Sequence, residues 1–258
     1  MTWVVGGKHL FCARSISDIE VTLRHPNKVE EYFDGVQKTH IIGPKLAISF
    51  ADSIRLAFFI IEKLKKDFYP NLDERLFHQP DVLMAKLQKF IKYHYKKSRR
   101  SIREQVEFLV FIAPHGTYTE FGVYKLVSPY FIVTEPADAF DLMEIGSGSK
   151  VPEYRDIVKR HATPLIEVDR GPNQKPDGLI VAGKGLLQFL FAEAIEYKNA
   201  GISKSMQITL VTHDNISIHN LPENIDGSFP KVATSWRELQ SMMRKRKVPI
   251  ATAEAAAA

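Results

Sequence analysis

Apolar and polar positions alternate along Trp3 to Gly7 and again from Cys12 to Thr22, the two-residue period of strands. The pattern predicts two paired strands that bring Asp18 back beside Thr2. The turn between them falls near Lys8 to Phe11, a stretch without good turn residues. His25-Pro26-Asn27 breaks the alternation, and Lys28 to Asp34 reads as a charged excursion. An apolar hairpin follows from Thr39 to Phe50. The period then lengthens: Ile54, Ala57, Phe58, Ile61, Leu64 and Phe68 recur at helical spacing between Ser53 and Phe68, and Leu56, Phe59 and Ile60 make the other flank apolar too. A helix apolar on two sides is expected between layers, with a sheet below and either a second helix or a neighbouring subunit above. Pro80-Asp81 starts a second helix, with Asp81 expected as N-cap and a stripe of Leu83, Leu87, Phe90, Ile91 and His94. His94 has no partner at metal spacing and is read as core.

Strand patterns return at Phe108 to Ala113, Glu120 to Leu126, Tyr130 to Thr134 and Phe140 to Ile145. Helices are expected at Val151 to His161 and Leu186 to Lys198. Between them, Thr163 to Gly185 is rich in Pro and Gly and reads as an insertion. Its Gly183-Lys184-Gly185 lacks the spacing of a phosphate loop. Met206 to Thr212 and Ile216 to His219 form a hairpin about Asp214-Asn215, and Ser235 with Glu238 makes a capping box for a last helix. Two strands, two helices, then four strands suit an α+β chain of two sheets flanked by helices. No linker divides it, so we expect one domain over 1–248, with the insertion near 162–185 and an Ala-rich tail, 249–258, that has nothing to bury.

Composition narrows the classes. Hydrophobic residues make up 45% and charged residues 25%, which are globular values. The single Cys12 excludes an internal disulfide, and no signal peptide or run of membrane-spanning length is visible, so a cytoplasmic protein without membrane association is expected. Most of the net charge of +5 sits in Lys96-Lys97-Ser98-Arg99-Arg100 with Arg103, and in Arg244-Lys245-Arg246-Lys247. Both runs fall where a helix ends, and cations there complement the helix dipole. No basic strand interleaved with aromatics is present, which argues against a nucleic-acid site.

The candidate chemistry begins at Thr2. Once Met1 is removed, one residue carries both a hydroxyl nucleophile and an amine able to deprotonate it. Asp18 follows sixteen positions later, Lys38 opens Thr39-His40-Ile41-Ile42-Gly43-Pro44-Lys45-Leu46-Ala47-Ile48-Ser49-Phe50, and Glu144-Ile145-Gly146-Ser147-Gly148-Ser149 carries a Gly-Ser-Gly turn. In these four segments, taken in order, the chain resembles the β subunits of the proteasome and their bacterial relatives, the N-terminal-nucleophile threonine peptidases.

The resemblance implies a four-layer αββα sandwich, no cofactor or metal, a ring homo-oligomer, a peptide or unfolded-protein substrate, and room for a regulatory ATPase. It makes Thr2 the nucleophile, Lys38 the charge that favours its alkoxide, Asp18 the holder of that lysine, and Ser147 a hydrogen-bond partner of the amine. The chain also departs from the family. Asp52 stands where the family's oxyanion-hole glycine is expected, and Asn199 and Ile202, with Ser203 one position off, stand where a supporting Asp and Ser are expected. A carboxylate about 5 Å from the oxyanion would cost on the order of 3 kcal/mol, roughly a hundredfold in rate. An Asp52 turned outward to cap the helix would instead gain about 1 kcal/mol, and this outward pose is the expected one. Two readings stand: a threonine-type peptidase or amide hydrolase, and a catalytically impaired ring-forming or interaction protein of the same fold.

Overall fold

A computed structural model describes residues 2–9, 12–24, 30–101, 103–114, 121–137, 141–162, 187–196, 202–223 and 227–246. The expected insertion, Asn199 and the Ala-rich tail lie outside these residues. In chain order the strands are β1 Val4–His9, β2 Cys12–Asp18, β3 Glu20–Arg24, β4 Glu30–Asp34, β5 Thr39–Gly43, β6 Leu46–Asp52, β7 Val106–Ile112, β8 Gly122–Val127, β9 Ile132–Thr134, β10 Leu142–Ile145, β11 Met206–Val211 and β12 Ile216–Leu221. The helices are α1 Ile54–Lys63, continued by a π-helical turn Leu64–Phe68, then α2 Pro80–Ser98, α3 Pro152–Ala162, α4 over 187–195, and α5 Trp236–Lys245. The protein is α+β with antiparallel sheets.

One sheet has the order β10-β1-β2-β11-β12 and another the order β5-β6-β7-β8-β9, each antiparallel throughout. Strand periodicity gives β2 two buried faces. Ala13 joins Val4, Val211, Ala47, Leu109 and Phe111 in a core drawn from both sheets. Ile16 joins Val5, Ile208 and Leu210 against Tyr154 and Ile157 of α3 and Leu190 and Phe191 of α4. A third core packs Phe50, Phe108 and Val110 of the second sheet against Leu56 and Ile60 of α1, Leu87 and Ile91 of α2, and Leu239 and Met243 of α5. The second flank of α1 is thus covered by α2 and α5 of the same chain, so its apolar character creates no need for a neighbouring subunit.

The structure corrects four local expectations. The charged excursion contains a strand, β4, paired with β3 so that Glu20 lies opposite Asp34 and Val21 opposite the buried Phe33. Gln79, not Asp81, precedes α2; Pro80 takes the first helical position, and Asp81 sits in the first turn near the positive end of the helix dipole. The cap of α1 is Ser53, whose Oγ accepts from Leu56 N at 3.3 Å and donates to Glu104 at 2.8 Å. At α5 the expected box forms in a shifted version: Ser235 Oγ accepts from Glu238 N, while the Glu238 carboxylate accepts from Thr234 N. His94 sits half-buried among Phe59, Phe90 and Tyr93. The basic runs do close helices, and Arg99 and Arg246 lie over the rings of Tyr95 and Phe33. Among the described residues no helix is long and apolar enough to cross a membrane.

Candidate active site

The site is built on the residues that lead into β1. Trp3 is fully buried, stacked on Tyr154 at 4.6 Å and on Phe191 at 5.8 Å, and its Nε1 donates to Glu144 at 2.7 Å. This anchor fixes the backbone of the residue before it. The register of β1 with β2 and β10 then delivers Asp18 on one side of Thr2 and the Gly146-Ser147-Gly148 turn on the other.

The turn requires its glycines. Gly146 has φ 93°, and a Cβ there would lie 2.4 Å from the Thr2 carbonyl oxygen; a Cβ at Gly148 would lie 2.6 Å from the Trp3 ring. With no side chains in the way, Gly148 N donates to Thr2 O at 3.0 Å, and Thr2 N donates to Ser147 Oγ at 3.0 Å. The turn is itself held from outside. Gly146 N donates to the buried carboxylate of Glu107, on β7, at 2.8 Å.

On the other side, the Asp18 carboxylate is fully engaged. Its Oδ1 accepts from Trp3 N at 2.9 Å and from Lys38 Nζ at 2.6 Å, and its Oδ2 accepts from Glu20 N at 3.2 Å. Both side chains of the Asp18–Lys38 pair are out of contact with solvent. Burial pulls the Lys38 ammonium toward losing its proton, and the Asp18 charge and hydrogen bond oppose that pull, with Glu20 and Asp34 adding negative field. The chain of contacts Ser147, Thr2, Trp3, Asp18, Lys38 therefore joins all four expected catalytic residues. Ser203, an expected supporting residue, is buried; its hydroxyl bonds the Asp34 carboxylate and accepts from Ser205 N at 3.0 Å. Burial also raises the affinity of Asp34 and Glu20 for protons.

Asp52 takes neither an outward pose nor the role of cap. It ends β6 with φ 69°, in the left-handed region, and its Oδ2 is buried without a hydrogen-bond partner. Burial, then the negative charge of Glu107, push its pKa up to about 6 despite Lys150 and Lys125.

Sequence reasoning passed over Glu20, Asp34 and Glu107. The first two meet through the β3–β4 register, and the third reaches Gly146 across sheets, so none carries a local motif. The adjacent aromatics Tyr32-Phe33, residue types that favour strands, were the available signal for β4. Among the described residues no group of three or more His, Cys, Asp or Glu side chains could hold a metal ion. No protein-family model matches the chain, and no curated protein matches it significantly.

Proposed function

We propose that the protein is a threonine-type amide hydrolase of the proteasome β-subunit kind, its two sheets and helices stacked as a four-layer αββα sandwich. The observation that carries this reading is the single contact chain from Ser147 through Thr2 and Asp18 to Lys38, built from the four segments that carry the resemblance. The layered arrangement is supported by the two sheets sharing one core while each packs helices in another.

Removal of what precedes Thr2 turns its amide N–H into an amine, with Ser147 Oγ beside it and a reference pKa of about 8. Thr2 Oγ1 then attacks a peptide carbonyl carbon, and the amine takes the hydroxyl proton. The proton passes to the departing nitrogen as the C–N bond breaks, leaving an ester on Thr2. Water adds to that ester with the amine again as base, releasing the acid and restoring Thr2. The Lys38 ammonium favours the alkoxide, and Asp18 keeps it charged and in place. The substrate class and the ring of copies belong to this reading through the resemblance alone.

A second reading, a catalytically impaired protein of this fold, is favoured by Asp52. Its left-handed backbone suits the glycine that the family pattern has there, yet one oxygen of its carboxyl, Oδ2, is buried without a hydrogen-bond partner. Intact mass in the presence of a peptide electrophile directed at N-terminal threonine separates the two. A chain beginning at Thr2 and gaining one adduct, lost in Thr2→Ala, is expected. A chain beginning at Thr2 that gains none would favour the impaired protein. Peptide hydrolysis by a chain that still carries a residue before Thr2 would sink the amine-as-base mechanism.

A further inference from the structure

One face of the first sheet carries polar groups that the proposed reaction does not use. Across β2 and β11, Ser15 lies opposite Thr209 and Ser17 opposite Gln207. Opposite residues of an antiparallel pair share a face, as do alternate residues of one strand, so the four project together. Ser17 is also opposite Val4, which belongs to the core between the two sheets, and this identifies the shared face as the one that meets the second sheet.

All four residues are buried, at 0–1% exposure. Ser15 Oγ, Ser17 Oγ, Thr209 Oγ1 and Gln207 Oε1 have no hydrogen-bond partner among the described residues. The Gln207 amide uses only its other end, donating to Asn220 Oδ1 at 2.8 Å. In the second sheet the cross-strand pair Thr39 and Ser49 solves the same problem directly, hydroxyl to hydroxyl at 2.7 Å. The stripe on the first sheet has no such internal solution. Four orphaned polar atoms in one patch, each left with its full desolvation cost, would consume much of the stability of an ordinary domain. Buried polar groups are paired with protein or with ordered water, and a buried water holds about three such groups. Cross-strand neighbours stand about 5 Å apart at Cβ, a span that one water bridges.

We propose that this stripe is an internal water-binding site, in which ordered waters between the sheets are held by Ser15, Ser17, Thr209 and Gln207. Its outer end, at Ser17 and Gln207, adjoins Asp18, so the site reaches the back of the Thr2 network. It does not depend on Thr2 being a nucleophile, and its test reads no activity. Oxygen-17 magnetic relaxation dispersion counts long-lived waters in the intact protein. The double variant Ser15→Ala with Thr209→Val should lose part of that signal and unfold at a lower temperature, because the waters lose half their partners. Thr209→Ser, which keeps a hydroxyl, should retain the signal. If the double variant does not fold, Thr209→Val against Thr209→Ser carries the same comparison. An unchanged signal together with a raised unfolding temperature would mean that the stripe is dry, and would overturn the proposal.

Discussion

Two aspartates, Asp18 fully buried and Asp52 half-buried, have opposite fates. Asp18 has both oxygens filled, by two backbone N–H groups and a lysine, in an extended backbone that any residue adopts. Asp52 has a left-handed backbone, an unfilled oxygen, and a second carboxylate, Glu107, as its strongest charged neighbour. The difference lies in the donors each carboxylate finds: three at Asp18, against an oxygen left unfilled at Asp52. At Asp18 the donors make a buried ion pair, while at Asp52 burial, and then the charge of Glu107, favour the protonated acid.

The largest expected effect breaks the Asp18 side. Asp18→Ala leaves the Lys38 ammonium buried without its partner, and should destabilise the fold by about 3–5 kcal/mol in denaturant titrations. A loss under 1 kcal/mol would mean that Lys38 is already neutral. The next effect belongs to Asp52. Its pKa in the folded state lies at about 6, above the unfolded value of about 3.9. The stability it contributes is therefore fully present below the unfolded value and is lost as pH rises through about 6. Asp52→Asn should flatten the fall in unfolding temperature between about pH 4 and pH 7, and Glu107→Gln should move that fall to lower pH by removing the repelling charge. A slope unchanged in Asp52→Asn would show that Asp52 titrates normally.

The smallest effect sharpens the contrast by position. Ser53→Ala should cost about 1 kcal/mol through the lost cap of α1. Asp52→Gly, one residue earlier, should cost nothing or stabilise, since glycine accepts the left-handed backbone. The opposite ranking in thermal melts would restore Asp52 as the cap.

That ranking also marks how far the chain could be read without coordinates. Asp52 and Ser53 are both good capping residues side by side, and only the backbone angle at Asp52 decides between them. The strands β1 and β2, the hairpin after Lys38 and the helix after Ser53 were legible because their residue patterns keep strand or helix spacing. The contact chain from Ser147 to Lys38 was legible through the resemblance, and the structure supplies its geometry. What stayed hidden came from tertiary register: Glu20 opposite Asp34, Glu107 reaching Gly146, and the hydroxyl of Ser203 turned to Asp34. The second flank of α1 predicted a cover correctly but could not say that the cover was α2 and α5.

The contact of Thr2 with Ser147 spans 145 residues. On a chain emerging from a ribosome, Thr2 therefore waits for the Gly146-Ser147-Gly148 turn before its carbonyl and nitrogen are held, and β2 waits for β11 before it is paired on both sides. Contacts so distant in sequence form late, since the loop-closure cost precedes any gain. Until then Thr2 has neither its turn nor a fixed Asp18. A half-made chain consequently holds none of the contacts that join Ser147, Thr2, Asp18 and Lys38, and the order of synthesis leaves that network to the last part of the chain to be made.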